Sequence, residues 1–253
     1  IVKEGLKRLN NTAKLGIVRL VQKLGISMIS SRDIGYRIAP KLNAAGRLDS
    51  PDDAFKLIIT KDEASATELA ELLLGYNVTR QSIEAKIYNE AVQMVEENGL
   101  SSLPIVVAYG HGWHLGVIGI VATRLVHLYN KPVMVISIEE GGVARGSARS
   151  VQGVNIIELL ERFRDIFEDF GGHTMALGFS LKEEKIPELI EAIKTHITED
   201  DVKVEPVVMI DEKITIDEIN DGIIRAIELL EPYGHGNPEP VFLIQNSAVE
   251  RFK

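Results

Sequence analysis

The segment that decides the fold runs from residue 132 to residue 150. It reads Pro132-Val-Met-Val-Ile-Ser-Ile-Glu-Glu-Gly-Gly-Val-Ala-Arg-Gly-Ser-Ala-Arg-Ser150. Its first seven residues form a short apolar run that is typical of a buried β-strand, and the residues from Val143 to Ser150 alternate as in a further strand. Apolar runs at Pro104–Tyr109 and Ala176–Leu181 predict two more strands. The sequence therefore predicts a sheet of four strands.

Helical patterns separate these strands. Amphipathic segments at Gly116–Tyr129, Asn155–Phe170 and Ile186–Ile197 predict three helices. Strands that alternate with helices favour an α/β fold in which at least one face of the sheet is covered.

The first 99 residues are predicted to be helical. Asn11-Thr12 is a candidate cap for a helix that follows, and Ser50 with Pro51 fits the start of another. Residues 61–98 contain no proline and keep an amphipathic pattern, which predicts one helix about 55 Å long that bridges two lobes.

Beyond Asp200 the pattern predicts two strands, Glu205–Ile210 and Pro240–Ile244, on either side of a helix at Asp221–Leu230. The chain begins at Ile1 without an initiator methionine and ends soon after the last of these strands. We therefore expect a piece of a longer protein.

Composition excludes several classes of protein. The 253 residues include no cysteine, so a disulfide framework, a thiolate zinc site and a catalytic thiol are excluded. No apolar stretch is long enough to span a membrane, and we expect a soluble, cytoplasmic protein. The net charge of −9 does not exclude a polyanionic ligand, since the first fifty residues carry ten Lys and Arg against three Asp and Glu.

Three side chains of the segment quoted first form a candidate phosphate site. Arg145, Ser147 and Arg149 alternate along one predicted strand and should share one face. Two guanidinium groups around a hydroxyl, with small neighbours, suit a phosphate. The alternative is a solvated strand face with two ordinary arginines.

A second candidate anion site is Gly171-Gly172-His173, where glycines allow close approach and the imidazole offers a donor. The alternative is a turn from a helix into a strand.

Other motifs have less specific interpretations. His111 and His114 could ligate a metal, although no companion carboxylate is evident, and for Trp113 we favour packing over base stacking. The segment Ala39-Pro-Lys-Leu-Asn-Ala-Ala-Gly-Arg47 is compatible with phosphate binding or with tight helix packing, and Pro232–Pro240 is predicted to be an architectural corner.

Five motifs, in order, resemble the RecJ family of single-strand-specific 5′→3′ DNA exonucleases, within the DHH phosphoesterase superfamily. They are Ala39–Leu48, Trp113–Leu125, Ala144–Ser150 with Gly153–Asn155, Gly171–His173 with Ala176–Gly178, and Leu230–Phe242. Lys41 stands where an arginine is usual, and Leu115 where a proline is usual.

The resemblance implies an arrangement of four parts. Residues 1–60 would be the C-terminal part of a DHH catalytic domain, 61–99 the connecting helix, 100–198 a DHHA1 domain, and 199–253 the beginning of an OB-like domain. It also implies a hydrolase that cuts phosphodiester bonds with two Mn²⁺ or Mg²⁺ ions, held by upstream motifs that this chain lacks, so we expect no metal bound to it and no activity of this chain alone.

The resemblance further implies roles for individual residues and partners. His173 would be catalytic at the scissile phosphate, and the phosphate-binding residues would be Lys41, Asn43, Arg47, Arg145, Ser147, Arg149, Gly171 and Gly172. The partner would be single-stranded DNA, with repair proteins as candidate further partners, and no membrane. The alternatives are a DHH-superfamily phosphoesterase for short oligonucleotides or cyclic dinucleotides, a non-catalytic nucleic-acid-binding relative, and a small-molecule-binding α/β protein.

Overall fold

The structure is a computed structural model that describes residues 1–204 and 207–245. Its contacts divide the chain into two compact units. The first comprises Ile1–Ala45, Ser50–Leu74 and the C-terminal segment from Pro206, and the second comprises Gly46–Asp49 and Gly75–Glu205.

The first unit begins as a set of helices, as expected for this part of the chain. The helices are α1 (Val2–Asn10), α2 (Leu15–Lys23), α3 (Ser31–Asp33), α4 (Ala39–Leu48), α5 (Asp52–Ile59) and α6 (Glu63–Glu97), with a π-helical turn at Ile34–Ile38 between α3 and α4. The last residues of α4 and most of α6 belong to the second unit. The long helix predicted over 61–98 is thus confirmed as α6.

The predicted cap of α2 is wrong. Asn11 ends α1, where its side chain donates to Lys7 O at 2.8 Å, and the N-cap of α2 is Lys14. Thr12 Oγ1 accepts from the Lys14 N–H at 3.3 Å. The two polar residues are used by the turn between the helices, which competes with capping for the same side chains.

The second unit is an α/β domain built on a sheet of five strands. The strands are β1 (Val106–His111), β2 (Val133–Ile138), β3 (Val143–Arg149), β4 (Asp169–His173) and β5 (Ala176–Lys182), in the spatial order β1-β2-β3-β5-β4. β1 and β2 are parallel, and the other pairs are antiparallel. The helices are α7 (Leu115–Tyr129), α8 (Ile156–Glu161), α9 (Ile186–His196) and α10 (Glu199–Val202).

Both faces of this sheet are covered in part. All six residues of β2 are buried, which explains why its sequence is a continuous apolar run. α7 packs on β2 and β3 and buries Val117, Val121 and Leu125. α8 packs on β4 and β5, and α9 adds Leu189 and Ile193 to the same core.

The helix predicted over 155–170 ends early, at Glu161, and β4 follows it. The reason is a cluster of aromatic side chains: the ring of Phe167 lies 5.3 Å from that of Phe170 and 5.3 Å from that of Phe179. This packing draws residues 169–173 alongside β5. The sheet therefore has five strands where the sequence predicted four.

The C-terminal segment of the first unit adds α11 (Asp221–Leu229) and a short parallel pair, β6 (Glu212–Lys213) with β7 (Phe242–Leu243). The predicted helix at 221–230 is confirmed. The strand predicted at Glu205–Ile210 is wrong for 207–210, which form no regular structure; residues 205–206 lie outside the described residues. Val207, Val208 and Met209 are more than 70% exposed, so their apolar run gains no burial from strand formation.

Candidate phosphate-binding site

Alternate residues of β3 point to opposite sides of the sheet, as the sequence predicted. Ala144 and Ala148 are fully buried, and the ring of Phe179 covers Gly146 on that side. The other side carries Arg145, Ser147 and Arg149, all partly or largely exposed. We call this side of β3, β5 and β4 the ligand face.

The strand register arranges the ligand face in three rows. Paired residues of neighbouring strands project to the same side, so each row crosses β3, β5 and β4 in turn. The rows are Arg145–Ser180–Asp169, Ser147–Gly178–Gly171 and Arg149–Ala176–His173. The β5 residue of each row is small, so a shallow trough runs between β3 and β4, whose backbones lie about 10 Å apart.

The guanidinium group of Arg149 is held in a fixed position on the ligand face. Its Nη1 donates to Ser147 Oγ and to Ala148 O, both at 2.8 Å, which fixes the guanidinium beside the hydroxyl. Gly119 of α7 lies directly against it, and a Cβ there would be 2.8 Å from Arg149 Nη2. Burial, and secondly the charge of Arg47, lower the pKa of Arg149.

Arg47 reaches this cluster through a close contact between the last residues of α4 and the start of α7, both in the second unit. Its Nη1 donates to Gly116 O at 3.0 Å, and a Cβ on Gly116 would lie 2.0 Å from Arg47 O. Only a glycine at the start of α7 permits that backbone approach. Within the described residues neither Arg47 nor Arg149 has an ion-pair partner, so the charges of these two neighbouring cations are not neutralised by a salt bridge. The positive potential of such a pair favours the binding of an anion.

Arg145 differs from Arg149. Its Nε lies 3.2 Å from Glu139 Oε2, in an ion pair whose side chains remain substantially exposed. The charge of Arg145 is therefore partly neutralised within the protein. The three residues predicted as one site share a face, but the positive potential is concentrated at the Arg149 end.

Gly171, Gly172 and His173 lie within β4, an edge strand, and do not form the turn considered as the alternative. A Cβ on Gly172 would lie 2.4 Å from Ala176 O, so close backbone packing requires glycine there. A Cβ on Gly171 would meet no protein atom within 4 Å, and it would point into the trough. His173 is exposed at the end of the strand, in the same row as Arg149.

A cavity of about 620 Å³ covers the Arg145 and Ser147 rows. It is lined by Leu115, Ile118, Arg145, Gly146, Ser147, Asp169, Gly171, Gly178, Phe179 and Ser180. A volume of this size is typical of small-ligand sites. Sequence reasoning missed Asp169, Gly178 and Ser180, because only the cross-strand register shows that they share a face with Ser147.

Lys41 and Asn43 lie on the part of α4 that belongs to the first unit. Asn43 is exposed and stands one helical turn before Arg47, so the two share a side of α4. Lys41, two residues before Asn43, lies on a different side of the helix.

The histidines and the tryptophan near β1 have structural partners. His114 caps α7 by accepting from the Gly116 N–H at 3.1 Å, and His111 Nε2 lies 3.6 Å from Glu183 Oε1. Trp113 is 7% exposed, and its Nε1 donates to Glu90 Oε2 at 2.8 Å. The prediction that Trp113 packs is confirmed.

Metal and membrane features are absent from the part of the chain that the structure describes. Residues 1–204 and 207–245 contain no group of three or more His, Asp or Glu side chains placed to hold a metal ion. No helix among them is both long and apolar enough to cross a membrane.

Comparison with known proteins identifies both the α/β domain and the C-terminal region. Residues 102–199 match the DHHA1 domain, and residues 210–253 match the RecJ OB domain. A single-stranded-DNA-specific exonuclease RecJ from Bacillus subtilis is 40% identical over 253 residues, which cover 97% of this chain and 32% of that protein.

Two crystal structures of RecJ from Thermus thermophilus share the fold at 30% identity. The complex with Mg²⁺ has a TM-score of 0.82, with 95% of this chain and 37% of that chain covered. The complex with Mn²⁺ has a TM-score of 0.83, with 96% and 36% covered. This chain thus spans about a third of the length of these relatives.

These matches define a DHHA1-type α/β domain, followed by residues of an OB domain. The order of these two domains and the similarity along the whole chain then specify the family. The chain belongs to the RecJ family.

Proposed function

We propose that this chain is the substrate-binding portion of a single-stranded-DNA-specific 5′→3′ exonuclease that acts in DNA recombination and repair. The observation that carries the proposal is the pair Arg47 and Arg149, two neighbouring cations without a carboxylate partner among the described residues. They stand beside an open trough whose floor has no large side chain. Family membership supplies the substrate class, because the named relatives are single-stranded-DNA-specific exonucleases.

Phosphate binding follows from the geometry of the ligand face. The fixed Arg149 guanidinium and the Ser147 hydroxyl offer donors to one phosphate, and charge-assisted bonds of this type are the strong ones. Gly171 and Gly172 have no side chain, so the single-stranded DNA can come close to β4. His173, in the Arg149 row, would contact the scissile phosphate or its neighbour, and Lys41 and Asn43 would line the path of the strand.

The proposed division of the chain follows the family pattern. Residues 1–60 would be the end of the DHH domain, 61–99 the connecting helix, 100–198 the DHHA1 domain and 199–253 the start of the OB-like domain. The whole protein would act in the cytoplasm on single-stranded DNA, and repair proteins would be its partners.

The whole protein would use Mn²⁺ or Mg²⁺, which the Thermus thermophilus structures contain. The described residues of this chain do not fit such ions, because they offer no group of three ligating side chains. We therefore expect no metal bound to this chain. Its own residues would bind, orient and neutralise phosphates.

Binding measurements on the 253-residue chain test this proposal. We expect affinity for 5′-phosphorylated single strands to rise with length beyond a dinucleotide and to exceed that for a blunt duplex. With Mn²⁺ and 5′-labelled single-stranded DNA, the chain alone should release no mononucleotide. Absence of any binding at low salt would overturn the proposal, and robust release would contradict the assignment of hydrolysis to residues outside this chain.

The alternatives give different results in the same assays. A phosphoesterase for short oligonucleotides or cyclic dinucleotides would bind a dinucleotide as well as a long strand. A non-catalytic nucleic-acid-binding relative would bind the long strand, but the whole protein would cleave nothing. A small-molecule-binding protein would bind no oligonucleotide.

A further inference from the structure

The ligand face carries a charge gradient that phosphate binding alone does not explain. One end has Arg149 and Arg47, neither of which forms an ion pair with a described residue. The other end has Asp169, two strands from Arg145, whose own charge is already paired with Glu139. A phosphate therefore favours the first end and is repelled from the second.

Asp169 nevertheless lines the cavity, together with Ser180. One of its oxygens, Oδ1, accepts from the Phe170 N–H at 2.9 Å, which fixes the carboxylate, and among the described residues no donor takes Oδ2, which can accept from a ligand. An ionised carboxylate accepts hydrogen bonds and donates none. Its complement in a nucleotide is an uncharged donor, such as the amino group of a base.

The remaining walls of the cavity suit a flat ring. Gly171 and Gly178 face each other across β4 and β5, and a Cβ on either would meet no protein atom within 4 Å. No intramolecular contact requires glycine at these two positions, although glycine weakens a strand relative to alanine. Leu115 and Ile118 of α7 add an apolar wall.

We infer that the Asp169–Ser180 end of the cavity is a nucleobase subsite that prefers a base with an exocyclic amino group. The Asp169 carboxylate would accept from that amino group, with the ring lying over Gly171 and Gly178. The carbonyl oxygen that replaces the amino group in uracil or thymine would face the carboxylate and be repelled. This inference rests on the proposed function, since it takes a nucleic-acid strand as the ligand.

The test uses a series of 5′-phosphorylated deoxyuridine oligonucleotides, each with one deoxycytidine at a different position. The affinity of the whole 253-residue chain is measured for each oligonucleotide. Cytosine and uracil differ at position 4 by an amino group against a carbonyl, without the methyl group of thymine. We expect one position, near the 5′ phosphate, to bind at least about tenfold more tightly than the all-uridine strand, the lower end of the range for one hydrogen bond to a charged group.

The Asp169→Asn variant distinguishes recognition of the base from general repulsion between the Asp169 charge and the oligonucleotide. The amide both accepts and donates, so the variant should lose the cytosine preference and bind the deoxyuridine strand better. Ser180→Ala should lower the preference less. If Asp169→Asn raises affinity equally for every oligonucleotide, or if no cytosine position binds more tightly in the original chain, the subsite is refuted. Binding that depends on Arg149 but shows no base preference would refute the subsite alone, whereas no binding at all would refute the proposed function.

Discussion

Arg47 and Arg149 are neighbouring cations that approach because two backbones touch. The carbonyl of Arg47 lies against Gly116 at the start of α7, and the charge of Arg47 contributes to lowering the pKa of Arg149. Like charges brought together without a counter-ion destabilise a protein unless an anion completes the site. We therefore expect this pair of arginines to bind an anionic ligand.

The contact between Gly119 and Arg149 gives a variant that affects binding without loss of stability. Gly119→Ala places a Cβ 2.8 Å from Arg149 Nη2, so the flexible end of the arginine must move away from Ser147. Alanine is the better helix former, by about 1 kcal/mol. We expect oligonucleotide affinity to fall severalfold while the free energy of unfolding stays equal or rises.

Gly75→Ala is the matched control for Gly119→Ala. Gly75 is exposed on α6, and an added Cβ meets nothing within 4 Å. This variant should gain the same helix propensity and bind normally. Equal affinities of the two variants would show that the Arg149 position does not matter for binding.

Two strand glycines should give opposite results. Gly146→Ala puts a Cβ 2.0 Å from Phe179 Cζ on the buried side of the sheet, and we expect a loss of about 1–3 kcal/mol in the free energy of unfolding. Gly178→Ala meets no protein atom, so the free energy of unfolding should rise by about 0.5–1 kcal/mol. The Gly178 variant should nevertheless bind oligonucleotides more weakly, because its methyl group enters the cavity. Unchanged affinity of the Gly178 variant would show that the floor of the trough does not contact the oligonucleotide.

The interactions of Asp201, near the end of the second unit, should make the free energy of unfolding depend on pH. Its carboxylate accepts from Arg162 Nη2 at 2.7 Å and from the Thr198 N–H, and these bonds lower its pKa, the arginine most. A lowered folded-state pKa contributes stability above the unfolded value near 4, and that stability is lost as pH falls below it. Asp201→Asn should therefore unfold more easily than the original chain at pH 7, and the difference should shrink as pH falls from about 5 toward 2. A difference that is constant with pH would contradict this account of Asp201.

The sequence predicted much of the fold for reasons that are local. Period-2 alternation alone places Arg145, Ser147 and Arg149 on one face, and the apolar run of β2 shows that both sides of that strand are buried. The long pattern without proline likewise predicts α6. These features depend on neighbours in sequence and on little else.

The missed features depend on contacts between distant residues. β4 contains two glycines and has no strand signal, and it forms because Phe167, Phe170 and Phe179 cluster. Asp169, Gly178 and Ser180 belong to the ligand face only through the β3–β5–β4 register. The approach of Arg47 to Arg149 follows from the Gly116 contact, which no spacing along the chain reveals.

The salt dependence of single-strand binding by Arg149→Ala tests the central claim most directly. Lys194→Ala is the control, since Lys194 forms an exposed ion pair with Glu191 on α9. Loss of a phosphate contact should weaken binding at least about tenfold at low salt and reduce the slope of log affinity against log salt by about 0.7, while the control leaves both unchanged. An unchanged slope and affinity in Arg149→Ala would contradict the assignment of this face to phosphate binding.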